Sequence, residues 1–396
     1  MGEVMAVPKL RFKGFDGDWS NKKIGNIASK VGSGSTPRGG AEAYTDHGII
    51  FIRSQNVNND QLLLDDVAYI PEETHVKMSG SKVIANDILL NITGASIGRS
   101  CVVPHDFTEA NVNQHVCIIR TPNDDPIFVQ SFLSSENGQN AIQSKQAGGG
   151  REGLNFQAIR SIDLHFPPSK EEQTKIATFL SAVDEKISQL SQKLHLLGQY
   201  KQGMMQKLFS QQIRFKADDG SDFEEWKENK FGECINVFDN LRKPISASER
   251  IAGNTPYYGA NGIQSYIDGY THDGEFILTA EDGANDLINY PIQYVNGKIW
   301  VNNHAHVVSG HHEKIQNKFL KYRLKSIDFT KYLVGGGRAK LNAGAMKEIS
   351  FSAPCLEEQT KIADFLSSID QKIDVVSEQL EQAKLWKKGR LQQMFV

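Results

Sequence analysis

The chain has 396 residues, 39% hydrophobic and 23% charged, with a formal net charge of −3 at pH 7. That length suits two or three domains with their own cores, and the composition is that of an ordinary soluble globular protein. No run of eighteen apolar residues occurs, so no membrane span is expected; Met1-Gly2-Glu3-Val4-Met5 lacks the basic and apolar regions of a secretory signal. Cys101, Cys117, Cys234 and Cys355 form no C-x-x-C pair, so they read as reduced cytosolic thiols rather than a zinc or dithiol site.

In chain order, the sequence repeats itself. Leu10-Arg11-Phe12-Lys13 resembles Ile213-Arg214-Phe215-Lys216, and each is followed by an acidic stretch and a tryptophan, Trp19 or Trp226. A body of mixed α/β character is expected after each opening, with helical stretches near 127–133 and 319–332. Both bodies contain a strand-like run that reaches a glycine, Gly94 or Gly283. Both then carry an Asn-x-His strand start, at 113–115 and 302–304, displaced by the same 189 residues (283 − 94 and 302 − 113). Both close on Gly-Gly-Gly-Arg-x-x-Leu-Asn (148–155 and 335–342), a β-rich stretch (162–166 and 349–351) and Pro167 or Pro354. One fold used twice, with diverged loops, is expected.

A long helix follows each body. Glu171-Glu172-Gln173-Thr174-Lys175-Ile176-Ala177 returns as Glu357-Glu358-Gln359-Thr360-Lys361-Ile362-Ala363, a shift of 186 (357 − 171). Ser169 with Glu172 reads as a capping box, whereas the second copy has Cys355 and Leu356 in that place. Apolar residues recur in alternating steps of four and three at Ile176, Leu180, Val183, Ile187, Leu190, Leu194 and Leu197. They recur likewise at Ile362, Leu366, Ile369, Ile373, Val376 and Leu380. This seam predicts either helices packed on their own bodies or a coiled coil of the two with each other. Roughly 40 residues at about 1.5 Å each would make a helix of about 60 Å. Lys201 and Lys387 interrupt the seam at equivalent positions. Each reads as a snorkelling lysine, a register device or a partner contact.

No catalytic constellation is legible. Asn254-Thr255-Pro256-Tyr257 lacks the first proline of the (N/D)-P-P-(Y/F) loop of amino-methyltransferases, and Gly94-Ala95-Ser96-Ile97-Gly98-Arg99 is not a P-loop. His304, His306, His311 and His312 have no cysteine or acidic cluster beside them apart from Glu313, so no metal site is expected. What remains is a binding inventory in polar loops. Arg38, Arg53, Thr93, Arg99, Gln114, Lys145, Arg151 and Arg160 belong to the first body. Lys243, Asn261, Lys298, Asn303, Arg338 and Lys340 belong to the second. Arg and Lys suit phosphates and guanine edges, Asn and Gln suit adenine, and solvated surface is the alternative for each. The small negative net charge is a mild objection to DNA binding, but charge distribution matters more than its sum.

Together these residues resemble the specificity subunit of Type I restriction–modification systems over essentially the whole chain. The resemblance rests on "GSGSTPRGG", "FIRSQNV", "LLNITGASIGR" and "NQH" in the first body and "TPYYGANGI" and "DGEFILTAEDGA" in the second. The two "EEQ-x-K-I-A-x-F-L" helices complete it. It implies two α/β target-recognition domains, expected at 1–167 and 211–355, each reading half of a bipartite site in double-stranded DNA. It also implies two conserved helices, 168–210 and 356–396, pairing as an antiparallel coiled coil that sets the spacing, with pseudo-two-fold symmetry. Two adenine-N6 methyltransferase subunits and two restriction subunits would be the partners. S-adenosylmethionine, ATP and Mg2+ would belong to those partners, leaving this cytoplasmic chain without cofactor or chemistry of its own.

Overall fold

In the computed structural model, which describes residues 7–146, 153–335 and 339–396, the chain forms two compact units. One comprises Met1–Ser191 with Glu378–Val396, the other Gln192–Ser377. The sequence boundaries near 168 and 356 fall at the starts of two long helices, Lys170–Phe209 and Leu356–Met394, whereas the units divide within those helices.

The two bodies share a frame. Ser20–Lys23 pairs antiparallel with Asp163–Phe166 in the first, and Lys227–Lys230 with Ser350–Ala353 in the second. Each opening strand runs into a single helical turn, Ile24–Ile27 or Phe231–Cys234, that buries its apolar residues. Each closing strand follows a short helix, Phe156–Arg160 or Ala343–Lys347. The asparagine of the Leu-Asn pair caps that helix: Asn155 Oδ1 accepts the Ala158 N–H and Asn342 Oδ1 the Ala345 N–H, both at 2.8 Å.

Inside the frame, four strands recur in the same antiparallel order. They are Lys30–Ser33, Val116–Arg120, Ile88–Asn91 and Ser100–Val102 in the first body. In the second they are Ile235–Val237, Ala305–Gly310, His272–Ala280 and Ile292–Val301. The run Ile88-Leu89-Leu90 is apolar without alternation because both faces are covered. Ile88 and Leu90 enter a core with Cys117, Ile119 and Phe128, while Leu89 enters another with Val83, Cys101 and Ile118.

Beyond those strands the bodies differ by more than loops. The first carries a separate sheet, ordered Ala68–Ile70, Ile49–Ile52, Ala110–Val112 and Lys82–Val83, with one parallel pair. The second instead lengthens its shared sheet with the hairpin Ala252–Gly259 and Gly262–Ile267, joined parallel to Ile292–Val301. Strand pairing of this range is set by tertiary packing, which local sequence patterns do not report.

The two long helices run antiparallel. In the first unit the start of one helix (Ile176, Ala177, Leu180) shares a core with the end of the other (Leu391, Met394, Phe395). In the second unit Leu208 meets Ile362, Ala363, Leu366 and Ile369. Both readings of the seam therefore describe part of it, since the same residues also pack on the body of their unit. Ile176, Leu180, Leu190, Ile362, Leu366, Ile369, Val376 and Leu380 are buried, and Val183, Ile187, Leu194, Leu197 and Ile373 are half-buried.

Repeated ion pairs explain the polar part of the repeat. Arg11 grips the buried Glu172 through Nε and Nη2, both at 2.7 Å, and also donates to the carbonyls of Asp16 and Gly17. Arg214 grips the buried Glu358 at 3.2 and 2.8 Å and donates to the carbonyls of Phe223 and Glu224. The capping box at Ser169 is accordingly only half formed. Ser169 Oγ accepts the Glu172 N–H at 3.2 Å, but the Glu172 carboxylate is held by Arg11, a charged donor that outcompetes a neutral backbone N–H.

The lysines that break the seam are the other half of this pattern. Lys387 is nearly buried and lies 2.6 Å from Asp184 and 2.7 Å from Asp60. Its equivalent, Lys201, pairs with Asp370, the equivalent of Asp184. Asp370 also accepts from Lys321 at 3.0 Å and from the Tyr322 hydroxyl at 2.6 Å. Of the three readings of these lysines, the contacts favour a register device, because each ammonium reaches the carboxylate of the opposite helix.

Candidate nucleic-acid interface

The two Asn-x-His segments are built alike. Asn113 Oδ1 accepts the His115 N–H at 2.9 Å, and Asn302 Oδ1 accepts the His304 N–H at 2.8 Å, so each asparagine closes a tight turn with its own side chain. The turns are anchored by equivalent backbone bonds. Ile92 N–H donates to the His115 carbonyl and Glu281 N–H to the His304 carbonyl, at 3.0 and 2.9 Å. Leu154 N–H donates to the Ile92 carbonyl and Leu341 N–H to the Glu281 carbonyl, at 2.9 and 2.8 Å. Gly94 and Gly283 follow with φ of 69° and 68°, a left-handed conformation that favours glycine in both copies.

The histidine of each turn is tied to the residue before that glycine. Thr93 Oγ1 lies 2.6 Å from His115 Nδ1, and Asp282 Oδ1 lies 2.5 Å from His304 Nδ1. Gln114 Nε2 donates to His115 Nε2 at 3.0 Å, which leaves the ring proton on Nδ1 to donate to Thr93. Thr36 donates to Gln114 Oε1 at 2.6 Å, so the Gly/Ser-rich loop carrying Arg38 reaches the same turn. Lys340 Nζ sits 3.2 Å from Asp282 Oδ2 and offsets its charge.

The structure thus brings Thr93 and Gln114 together through His115 in the first body, and Asn261 and Lys340 to Gly283 and Asp282 in the second, with Asn303 exposed beside His304. Asn261 donates to the Gly283 carbonyl at 2.9 Å and accepts the Asn285 N–H at 2.9 Å, so its amide fastens the loop. Arg38, Arg99 and Asn303 are exposed. Arg53 is half-buried and 3.9 Å from Asp66. Arg160 donates to the Val31 carbonyl at 3.5 Å, and Lys145 caps the helix Glu136–Ser144. Lys243 and Lys298 lie over the rings of Trp300 and Tyr270, at 5.9 and 4.7 Å. Arg151 and Arg338 lie outside the described residues. Asp282 stands outside the sequence inventory of binding residues, and His115 and His304 enter it only as members of the repeated Asn-x-His segments. The 189-residue shift was the signal for them, since it places Thr93 and Asp282 at equivalent positions.

Among the described residues, Asp239, Glu281 and His306 bring potential ligand atoms within 4.8 Å of one another. Those atoms are already engaged. Arg242 lies 2.7 Å from Glu281 and 3.5 Å from Asp239, and His306 bonds Asp239 through Nδ1 and the Leu341 carbonyl through Nε2. Burial opposes charge on both partners, but their mutual hydrogen bond wins: His306 is raised and Asp239 lowered from its ordinary pKa. This is a partly buried charge network that holds the strand Ala305–Gly310 to the segment around Asp239.

Comparison with known proteins gives the frame its class. The family described as Type I restriction modification DNA specificity domain matches residues 16–197 and again 223–385. A putative type I restriction enzyme specificity subunit of Haemophilus influenzae is 47% identical over 154 residues, which is 39% of this chain and 39% of that protein. The putative type I restriction enzyme MjaX specificity subunit of Methanocaldococcus jannaschii is 23% identical over 93% of this chain and 91% of its own length. The crystal structure of the S subunit of a Type I restriction–modification system from M. genitalium shares the fold, with a TM-score of 0.68 at 17% identity over 99% of each chain. The chain belongs to this family, with two copies of its DNA-specificity domain: it is a specificity subunit, the non-catalytic, DNA-recognising member of a Type I restriction–modification system. No described helix is long and apolar enough to cross a membrane.

Proposed function

We propose that each body reads one half of a bipartite site in double-stranded DNA, and that the paired helices set the gap between the halves and dock the modification subunits. Two adenine-N6 methyltransferase subunits work on the sites so chosen, and two ATP-dependent restriction subunits complete the nuclease. S-adenosylmethionine, ATP and Mg2+ are bound by those partners in the cytoplasm, and this chain supplies recognition alone. The carrying observation is the duplicated turn: two bodies of different sheet topology keep the same framework around residues 113–115 and 302–304. Two readers on one chain suit a target in two parts.

The test is an exchange of residues 20–167 for the corresponding body of a relative, with methylated adenines mapped across a genome. One half of the recognised motif is expected to change, while the other half and the gap stay as they were. A motif unchanged in both halves contradicts the reading.

A further inference from the structure

We propose that Gln114 and Asn303 are the equivalent base-reading side chains of the two bodies, each presenting a carboxamide to an adenine edge. The proposal rests on the reading of each body as the recogniser of one half-site. The bonds that close both turns and tie them to the sheet come from the residues on either side of the crest. Asn113 and Asn302 close the turn, His115 and His304 lock it to Thr93 and Asp282, and the backbone bonds of Ile92 and Glu281 fasten it to the shared sheet. The crest residue between them closes no turn and joins no core. Both crest residues are exposed, and both carry a side-chain amide.

A carboxamide offers one donor and one acceptor side by side, which is the pattern that matches adenine N7 and N6 in the major groove. Gln114 is steadied by the Thr36 hydroxyl on Oε1 and by His115 on Nε2, which leaves one amide hydrogen and one lone pair for a base. The charge around the second turn is compatible with DNA, because Lys340 stands against Asp282. The neighbours differ between copies: Thr36 and Thr93 flank the first crest, Asp282 and Lys340 the second. The two half-sites would therefore differ around a shared adenine contact.

The experiment uses the full chain with its methyltransferase partner, and reads the recognised motif of wild type, Gln114→Ala and Asn303→Ala by mapping methylated adenines. Each substitution is expected to relax one position of one half-site, with about a ten- to hundredfold loss of preference there, and to leave the other half-site and the melting temperature unchanged. Conservative variants, Gln114→Asn and Asn303→Gln, separate base contact from a general effect of the side chain, since only a positioned carboxamide is sensitive to length. A wild-type split motif that both alanine variants retain at full preference overturns the proposal and leaves the bipartite reading intact. A wild type that yields no split motif overturns both.

Discussion

Replacing Arg11 by alanine is expected to destabilise the first body by about 3–5 kcal/mol, the scale for leaving a buried charge without its partner. Glu172 is almost fully buried, and Arg11 supplies both charged hydrogen bonds to its carboxylate. The guanidinium is held above its ordinary pKa, first by its hydrogen bond to Glu172. Loss of the arginine also frees the carbonyls of Asp16 and Gly17. Arg214→Ala is expected to cost less, by about 1 kcal/mol, because Glu358 keeps a donor in Trp226 Nε1 at 3.2 Å. In the first copy the buried Trp19 Nε1 has no such partner. Native-state hydrogen exchange resolved by body measures both losses. Equal losses, or losses confined to the wrong body, count against the clamp as the reason for the repeat.

Asp370→Asn is the second large effect, expected to cost about 3 kcal/mol, since it leaves the ammonium groups of Lys201 and Lys321 facing a neutral amide. Burial alone would push the Asp370 carboxyl up. Hydrogen bonds from Lys201, Tyr322 and Lys321 reverse that and hold it at about 2. The sign follows from linkage. A carboxyl with a lowered folded-state pKa stabilises the fold above its unfolded pKa near 4, and that stability is lost as pH falls from about 4 to about 2. Asp184, its counterpart, behaves oppositely: burial raises its carboxyl despite Lys387. Acid titration followed by hydrogen exchange is therefore expected to open the Lys201–Asp370 pair steeply between pH 4 and pH 2. Asp370→Asn should remove that part of the acid sensitivity, and an unchanged acid profile in the variant contradicts the assignment.

The repeat made much of this fold legible, because recurrence at a fixed shift marks residues that do the same work twice. The helices, their seam, the closing strands and the Asn-x-His turns could all be located from that recurrence. Sheet topology could not, since the separate sheet of the first body and the added hairpin of the second depend on pairings distant in the chain. The roles of the repeated charges were hidden for a related reason. Arg11 and Glu172 lie 161 positions apart, and Lys387 and Asp60 lie 327 apart, so no local pattern predicts either bond. Half of the capping box at Ser169 forms as its sequence suggests, and the Glu172 carboxylate departs from it because only the fold brings Arg11 to it. The inventory of loop cations was broad for the same cause: residue type says what can touch DNA, not which side chains a loop presents.

The most direct test of the account is a methylome. This chain, co-expressed with its methyltransferase partner in a host lacking N6-methyladenine, is expected to direct methylation to a split motif of two short half-sites around a fixed, unspecific gap. Methylation at one continuous motif would contradict the claim that the two bodies read the two parts of one target.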